Sequence, residues 1–68
     1  MTLAQRLARL FDDHSTNPNA VAAAGRLNRN AVYKIVRGEN TNPKVETLRA
    51  IAEAAGGTMA ELWRDDEG

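Results

Sequence analysis

Residues 21–38, VAAAGRLNRNAVYKIVRG, decide the fold. They read as the end of a short helix, a tight turn and a second helix whose two faces differ in chemistry. Leu27, Val32, Ile35 and Val36 fall on one apolar stripe that a helix would bury. Asn30, Tyr33, Lys34 and Arg37 follow one another at three, four and seven residues, so they line the opposite, exposed face. Arg29 stands beside them at the N-terminal end. A helix that presents amide and basic groups, held at a sharp angle by a shorter helix before it, has the shape that enters a DNA major groove. The stretch therefore predicts sequence-specific recognition of double-stranded DNA.

Working backward, Asn17-Pro18 is a helix start, with asparagine as N-cap and proline at the first helical position. The helix that follows, Pro18 to about Gly25, is nearly all alanine, and its Val21 and Ala22 face the core. Asn17 and Asn19 sit at its positive end, where they either cap the helix alone or cap it and also meet a phosphate. Asn28 is placed to cap the next helix, roughly Arg29 to Arg37, and Gly38 ends it in the left-handed position. At the N-terminus, Thr2 with Gln5 fits a capping box, and Leu3, Leu7, Leu10 and Phe11 mark the buried stripe of a first helix from Leu3 to Asp13. Its exposed face carries Arg6 and Arg9. His14, the single histidine, has too few potential ligands nearby for a metal site and reads as a surface residue.

Working forward, Glu39 to Pro43 forms a polar loop with exposed amides. A fourth helix from Val45 to about Ala55 buries Val45, Leu48, Ile51, Ala52 and Ala55 as the central layer of the core. Gly56-Gly57 breaks it. Thr58 with Glu61 is a second capping box opening a short fifth helix with Met59, Leu62 and Trp63. Trp63 reads as a core residue before a partner-facing one, because so small a domain spares few large side chains. The expected architecture is all-α, a five-helix domain over residues 1–64 with its helix-turn-helix at 18–37. An acidic tail or the start of a linker follows at 65–68.

Length and charge narrow the function. A 68-residue chain is one domain that buries about 60% of its unfolded surface. It has no cysteine for a disulfide or a thiolate metal site and no apolar run of about 20 residues, so a cytoplasmic location with no membrane contact is expected. The formal net charge is zero, but its distribution is uneven. Arg26, Arg29, Lys34, Arg37, Lys44 and Arg49 stand against Glu39 and Glu46 in residues 26–49, six against two, or +4. Residues 50–68 hold Glu53, Glu61, Asp65, Asp66 and Glu67 against Arg64, five against one, or −4. A basic half can steer DNA toward one surface. No nucleophile stands with a base, and no glycine-rich phosphate loop occurs, so no enzyme, no cofactor and no metal is expected. The competing class is an antitoxin-like or other protein-interaction module built on the same helices.

The joint spacing of Ala22, Leu27, Val32 and Ile35, then Arg37-Gly38, a loop, Pro43 and another helix, resembles the helix-turn-helix domain of the phage repressor and Cro family, often called XRE-type. Val45 to Ala55 resembles that family's fourth helix and Thr58 to Trp63 its closing one, so the fold implied is lambda-repressor-like. The phrase LNRNAVYKIVRG and the Asn-Pro loop are also similar to N-terminal domains of phage-type repressors that carry a LexA-like self-cleaving domain behind them. The resemblance implies base contacts from Arg29, Asn30 and Lys34, flanked by Asn28 and Tyr33. Tyr33 is left open between a thymine methyl, a phosphate and covering the helix. Arg37, Asn40, Asn42 and Lys44 match positions near the sugar-phosphate backbone, joined by Asn17 at the start of the second helix, beside which Asn19 stands at the same positive end. A homodimer on a two-fold operator is implied, weak or monomeric without DNA. Two departures stand out. The family usually has glycine at Arg26, so either Arg26 takes the left-handed conformation, the favoured reading, or the turn shifts to Gly25. It also usually has an apolar residue at Gly57, which predicts a loosely docked fifth helix.

Overall fold

The computed structural model describes residues 2–64; the expected acidic tail at 65–68 lies outside them. Five helices form among these residues, α1 (Leu3–Asp13), α2 (Pro18–Gly25), α3 (Arg29–Val36), α4 (Val45–Ala54) and α5 (Met59–Leu62), with no strand. Each beginning follows from capping chemistry. At α1 the Thr2 hydroxyl accepts from the Gln5 N–H at 3.1 Å while Gln5 Oε1 accepts from the Thr2 N–H at 2.9 Å, the expected reciprocal box. Asn17 and Asn28 accept from Ala20 N–H at 2.8 Å and Ala31 N–H at 3.2 Å, so the starts of α2 and α3 are fixed by the two asparagines that lead them.

Four helices also end alike. In each, the N–H of a residue with positive φ and the N–H of its successor bond back to carbonyls of the last turn. The pairs are Ser15 and Thr16 to Asp12 and Phe11, Arg26 and Leu27 to Ala23 and Ala22, Gly38 and Glu39 to Ile35 and Lys34, and Gly56 and Gly57 to Glu53 and Ala52. Glycine supplies the left-handed conformation only at Gly38 and Gly56. Arg26 takes it at φ 55°, the favoured expectation, and Ser15 takes it at φ 53° where the sequence suggested only a connection. Gly25 has a different duty. A Cβ there would lie 3.1 Å from both Ala54 Cβ and Leu27 Cδ1, so glycine lets α2 approach α4 closely while Arg26 makes the turn.

The principal contacts run α1 to α3, α3 to α2, α2 to α4, α4 to α5 and α5 back to α1. This is a ring of five helices around one core, so α4 is one wall of five and not a central layer. Leu7, Leu10 and Phe11, Val21 and Ala22, Val32 and Ile35, Leu48, Ile51, Ala52 and Ala55, and Leu62 fill its middle. Burial of these side chains, not local propensity, holds helices as short as α5 in place. Val45 is the exception on its stripe and is 62% exposed. The helical wheel gives it the right direction, but it stands at the first residue of α4, beyond a polar loop with no aliphatic side chain to cover it.

The region around α5 departs most from expectation. Trp63 is 48% exposed and lies beneath the Arg6 guanidinium, 5.4 Å from the ring centroid, so it is no core residue. Leu62 supplies the buried anchor instead. Arg6 and Arg9 are not a solvated face: Arg6 Nη1 donates to the carbonyls of Leu62 and Arg64, and Arg9 Nη2 donates to Arg64 at 2.7 Å. Two cations thus satisfy the carbonyls that end α5. The second capping box is only half formed. The Thr58 hydroxyl accepts from the Glu61 N–H, but the Glu61 carboxylate lies 2.7 Å from His14 Nε2. His14, only 27% exposed at its side chain, is therefore not a plain surface residue and links the end of α1 to α5. That link explains Gly57. A Cβ at Gly57 would meet His14 Nε2 and Leu10 Cδ1 at 3.0 Å, so glycine makes room for the histidine and α5 is docked, not loose.

Candidate nucleic-acid interface

The turn between α2 and α3 is set by Arg26 in the left-handed conformation and by Leu27, whose N–H bonds to the Ala22 carbonyl and whose side chain packs against the core. Asn28 then caps α3, and the rotation of that helix is fixed by what it buries. Val32 and Ile35 are in the core, Ile35 at 2% exposure, with Val36 partly buried beside them. Asn28, Arg29, Asn30 and Lys34 are exposed, as the apolar stripe requires of the positions opposite it. The side chains of Asn30 and Lys34 have no hydrogen-bond or ion-pair partner among the described residues. An unengaged amide and an unengaged ammonium thus project side by side, one turn apart.

Arg29 is engaged. Its Nη1 donates to Asn19 Oδ1 at 3.0 Å, which joins the first turn of α3 to the first turn of α2 across a groove floored by Ala22, Ala23 and Leu27. Asn17, one step before α2, is exposed with its Oδ1 used in capping. The sequence expected both asparagines at the start of α2 to cap it. Only Asn17 does, and Asn19 holds an arginine of the neighbouring helix. Helical periodicity gives no hint of this pairing, because it depends on the angle between two helices.

At the other end of α3 the chain turns back on itself. The N–H groups of Glu39 and Asn40 both bond to the Lys34 carbonyl, at 2.8 and 3.0 Å. Asn40 Oδ1 accepts from the Asn42 N–H at 3.1 Å, so the polar loop is pinned by its own amides. The Arg37 guanidinium lies 5.9 Å from the centroid of the half-buried Tyr33 ring, and its Nε lies 2.9 Å from Glu39 Oε2. Tyr33, for which the sequence left three roles open, presents its ring to the Arg37 guanidinium. Asn40, Asn42 and Lys44 are all exposed, and Lys44 starts α4 without its side chain capping it.

The charge of this surface is lopsided. Between Asp13 and Glu46 the chain has one carboxylate, Glu39, against Arg26, Arg29, Lys34, Arg37 and Lys44. A local excess of cations of this kind favours an anionic partner even where the net charge of the molecule is zero. Among the described residues no cluster of three or more histidine or acidic side chains could hold a metal ion, and no helix is long and apolar enough to cross a membrane. Glu39 was given no part in the sequence-derived site, although a carboxylate two residues beyond an arginine at a helix end is the signal that could have found it.

A protein-family model described as Helix-turn-helix matches residues 12–62, more than half of the chain. No curated protein and no solved structure matches.

Proposed function

The chain belongs to the helix-turn-helix family, a family of sequence-specific DNA-binding transcription regulators, and on that premise we propose that α3 is its reading helix and lies in the major groove. Asn28, Arg29, Asn30, Tyr33 and Lys34 form the base-reading set. Asn30 can bridge adenine N6 and N7 with its whole amide, Lys34 prefers guanine O6 and N7, and Arg29 can grip the same guanine edge with two donors. Asn28 keeps its NH2 donors, since its oxygen is used in capping α3. Asn17, Asn19, Arg37, Asn40, Asn42 and Lys44 form the phosphate-contacting set at either end of the helix and fix register without reading sequence. The protein is a phage- or prophage-type transcriptional repressor, or the N-terminal domain of one with a self-cleaving domain behind it. It acts as a homodimer on a two-fold operator whose half-sites lie about 34 Å apart, and it associates weakly or not at all without DNA.

The observation that carries this reading is the division of α3: Val32 and Ile35 held in the core, Asn30 and Lys34 unengaged and outward. Selection from a pool of random duplexes tests it. A two-fold motif should emerge, and affinity for it should fall steeply between about 50 and 200 mM salt. No enriched motif, or an affinity indifferent to salt, would instead make the same face a protein-docking surface.

A further inference from the structure

We infer that Glu39 is an intramolecular stand-in for a DNA phosphate, which occupies Arg37 in the free protein and so limits how tightly the recognition face holds DNA of any sequence. The inference deepens the DNA-binding reading and rests on it. Three observations converge. Glu39 is the single carboxylate in the 32 residues from His14 to Val45, the stretch that also carries Arg26, Arg29, Lys34, Arg37 and Lys44. Its backbone is fixed by the same ending that closes three other helices: Gly38 at φ +82° makes the turn, and the Glu39 N–H is tied to the Lys34 carbonyl at 2.8 Å, which sets the point from which the carboxylate reaches Arg37. A Cβ on Gly38 would meet nothing within 4 Å, so glycine is there for the left-handed turn that Glu39 follows and not to make room. Third, the contact falls on Arg37 Nε at 2.9 Å with both side chains more than half exposed, a pairing that DNA can reach and replace.

The chemistry of the exchange is simple. A carboxylate and a phosphate both accept from a guanidinium along one edge, and the two anions repel each other where they approach the same cation. Binding therefore replaces the Glu39 contact with a phosphate contact and leaves a carboxylate beside the DNA backbone. Counterion release at this arginine is correspondingly reduced, because in the free protein Arg37 and Glu39 together carry no net charge. Asn30 and Lys34, which read bases, are not touched by the exchange.

The test measures the full chain and its Glu39→Gln variant against pooled random duplexes and against the selected motif, across salt. The variant is expected to bind all duplexes about two- to fivefold more tightly at about 50 mM salt, the range of an exposed ion pair. Its log K against log salt should be steeper by up to about 0.9, one phosphate. Its melting temperature should fall by a few degrees at most, the loss expected of one exposed ion pair, and its far-UV circular dichroism should be unchanged, which excludes a change in fold. In an Arg37→Ala background the gain should shrink to less than half. An equal gain with and without Arg37 would mean that Glu39 acts only through its field, and an unchanged or weakened Glu39→Gln protein would mean that it orients Arg37 for phosphate; either overturns the inference while parental DNA binding stands. A parent chain that shows no salt-dependent binding to any duplex overturns the DNA-binding reading and this inference together.

Discussion

Arg26 and Ser15 hold backbone conformations that their side chains disfavour. In the left-handed region the Cβ of an L-residue crowds its own carbonyl, at a cost of about 1 to 2 kcal/mol, offset in part by the greater unfolded-state freedom of a glycine put in its place. Both residues have the role that Gly38 and Gly56 perform without strain, closing a helix with two backbone hydrogen bonds. Arg26→Gly and Ser15→Gly should each stabilise the domain by about 1 kcal/mol, a rise in melting temperature of roughly 4 to 8 °C for a chain of this size. Thermal unfolding followed by circular dichroism decides it. A lower melting temperature for Arg26→Gly would show that the arginine side chain contributes more than the strain it accepts. Gly25→Ala should go the other way, because the new methyl would press on Ala54 and Leu27 at 3.1 Å.

At the scale of the elements, α5 shows how a four-residue helix with one buried side chain is kept in place. Leu62 enters the core, Arg6 and Arg9 take up carbonyls at its end, and His14 with Glu61 closes the gap over Gly57. Gly57→Ala should destabilise the protein by about 1 kcal/mol, since the methyl cannot be placed without moving His14 off Glu61 or pressing on Leu10. In a His14→Ala background the same change should cost much less, and a thermal or urea double-mutant cycle would register the coupling. Equal costs in both backgrounds would mean that Leu10 alone sets the clash. These contacts also mark where the sequence stopped being readable. Helix starts were legible at Thr2, Asn17 and Asn28 because capping is a local hydrogen bond between residues three apart. The orientation of α3 was legible because its stripe is one period of one helix. His14, Arg6, Arg9 and Trp63 were misread because their partners lie 47 to 58 residues away along the chain, and periodicity carries no information about pairs so distant. Val45 was misread for a related reason: a helical wheel gives the direction of a side chain, not whether a neighbouring helix extends far enough to cover it.

For the whole molecule, zero net charge and a DNA-binding role are compatible because the domain separates its charges along the chain. The basic stretch falls on α3, the loop after it and the start of α4, where only Glu39 and Glu46 are acidic, while the other four described carboxylates, Asp12, Asp13, Glu53 and Glu61, belong to α1, α4 and α5. With a screening length near 8 to 10 Å at physiological salt, DNA at one face responds to the charges of that face far more than to the molecular total. This yields a division of labour that mutation can separate. Lys34 projects from the middle of α3 with no intramolecular partner, so Lys34→Ala should change the preferred base at one step of the selected motif, costing roughly 1 to 3 kcal/mol there and little on unrelated duplexes. Arg37 stands at the end of α3 against Tyr33 and Glu39, so the guanidinium proposed to meet the sugar-phosphate backbone is already partly engaged. Arg37→Ala should therefore weaken every duplex alike, by less than a free arginine would, and make the salt dependence shallower without altering the motif. Repeating the random-duplex selection with both variants compares motif with slope directly. If the two proteins shifted motif and slope in the same way, α3 would not be divided into a reading segment and an anchoring end, and the assignment of Asn28, Arg29, Asn30, Tyr33 and Lys34 to bases would fall with that division.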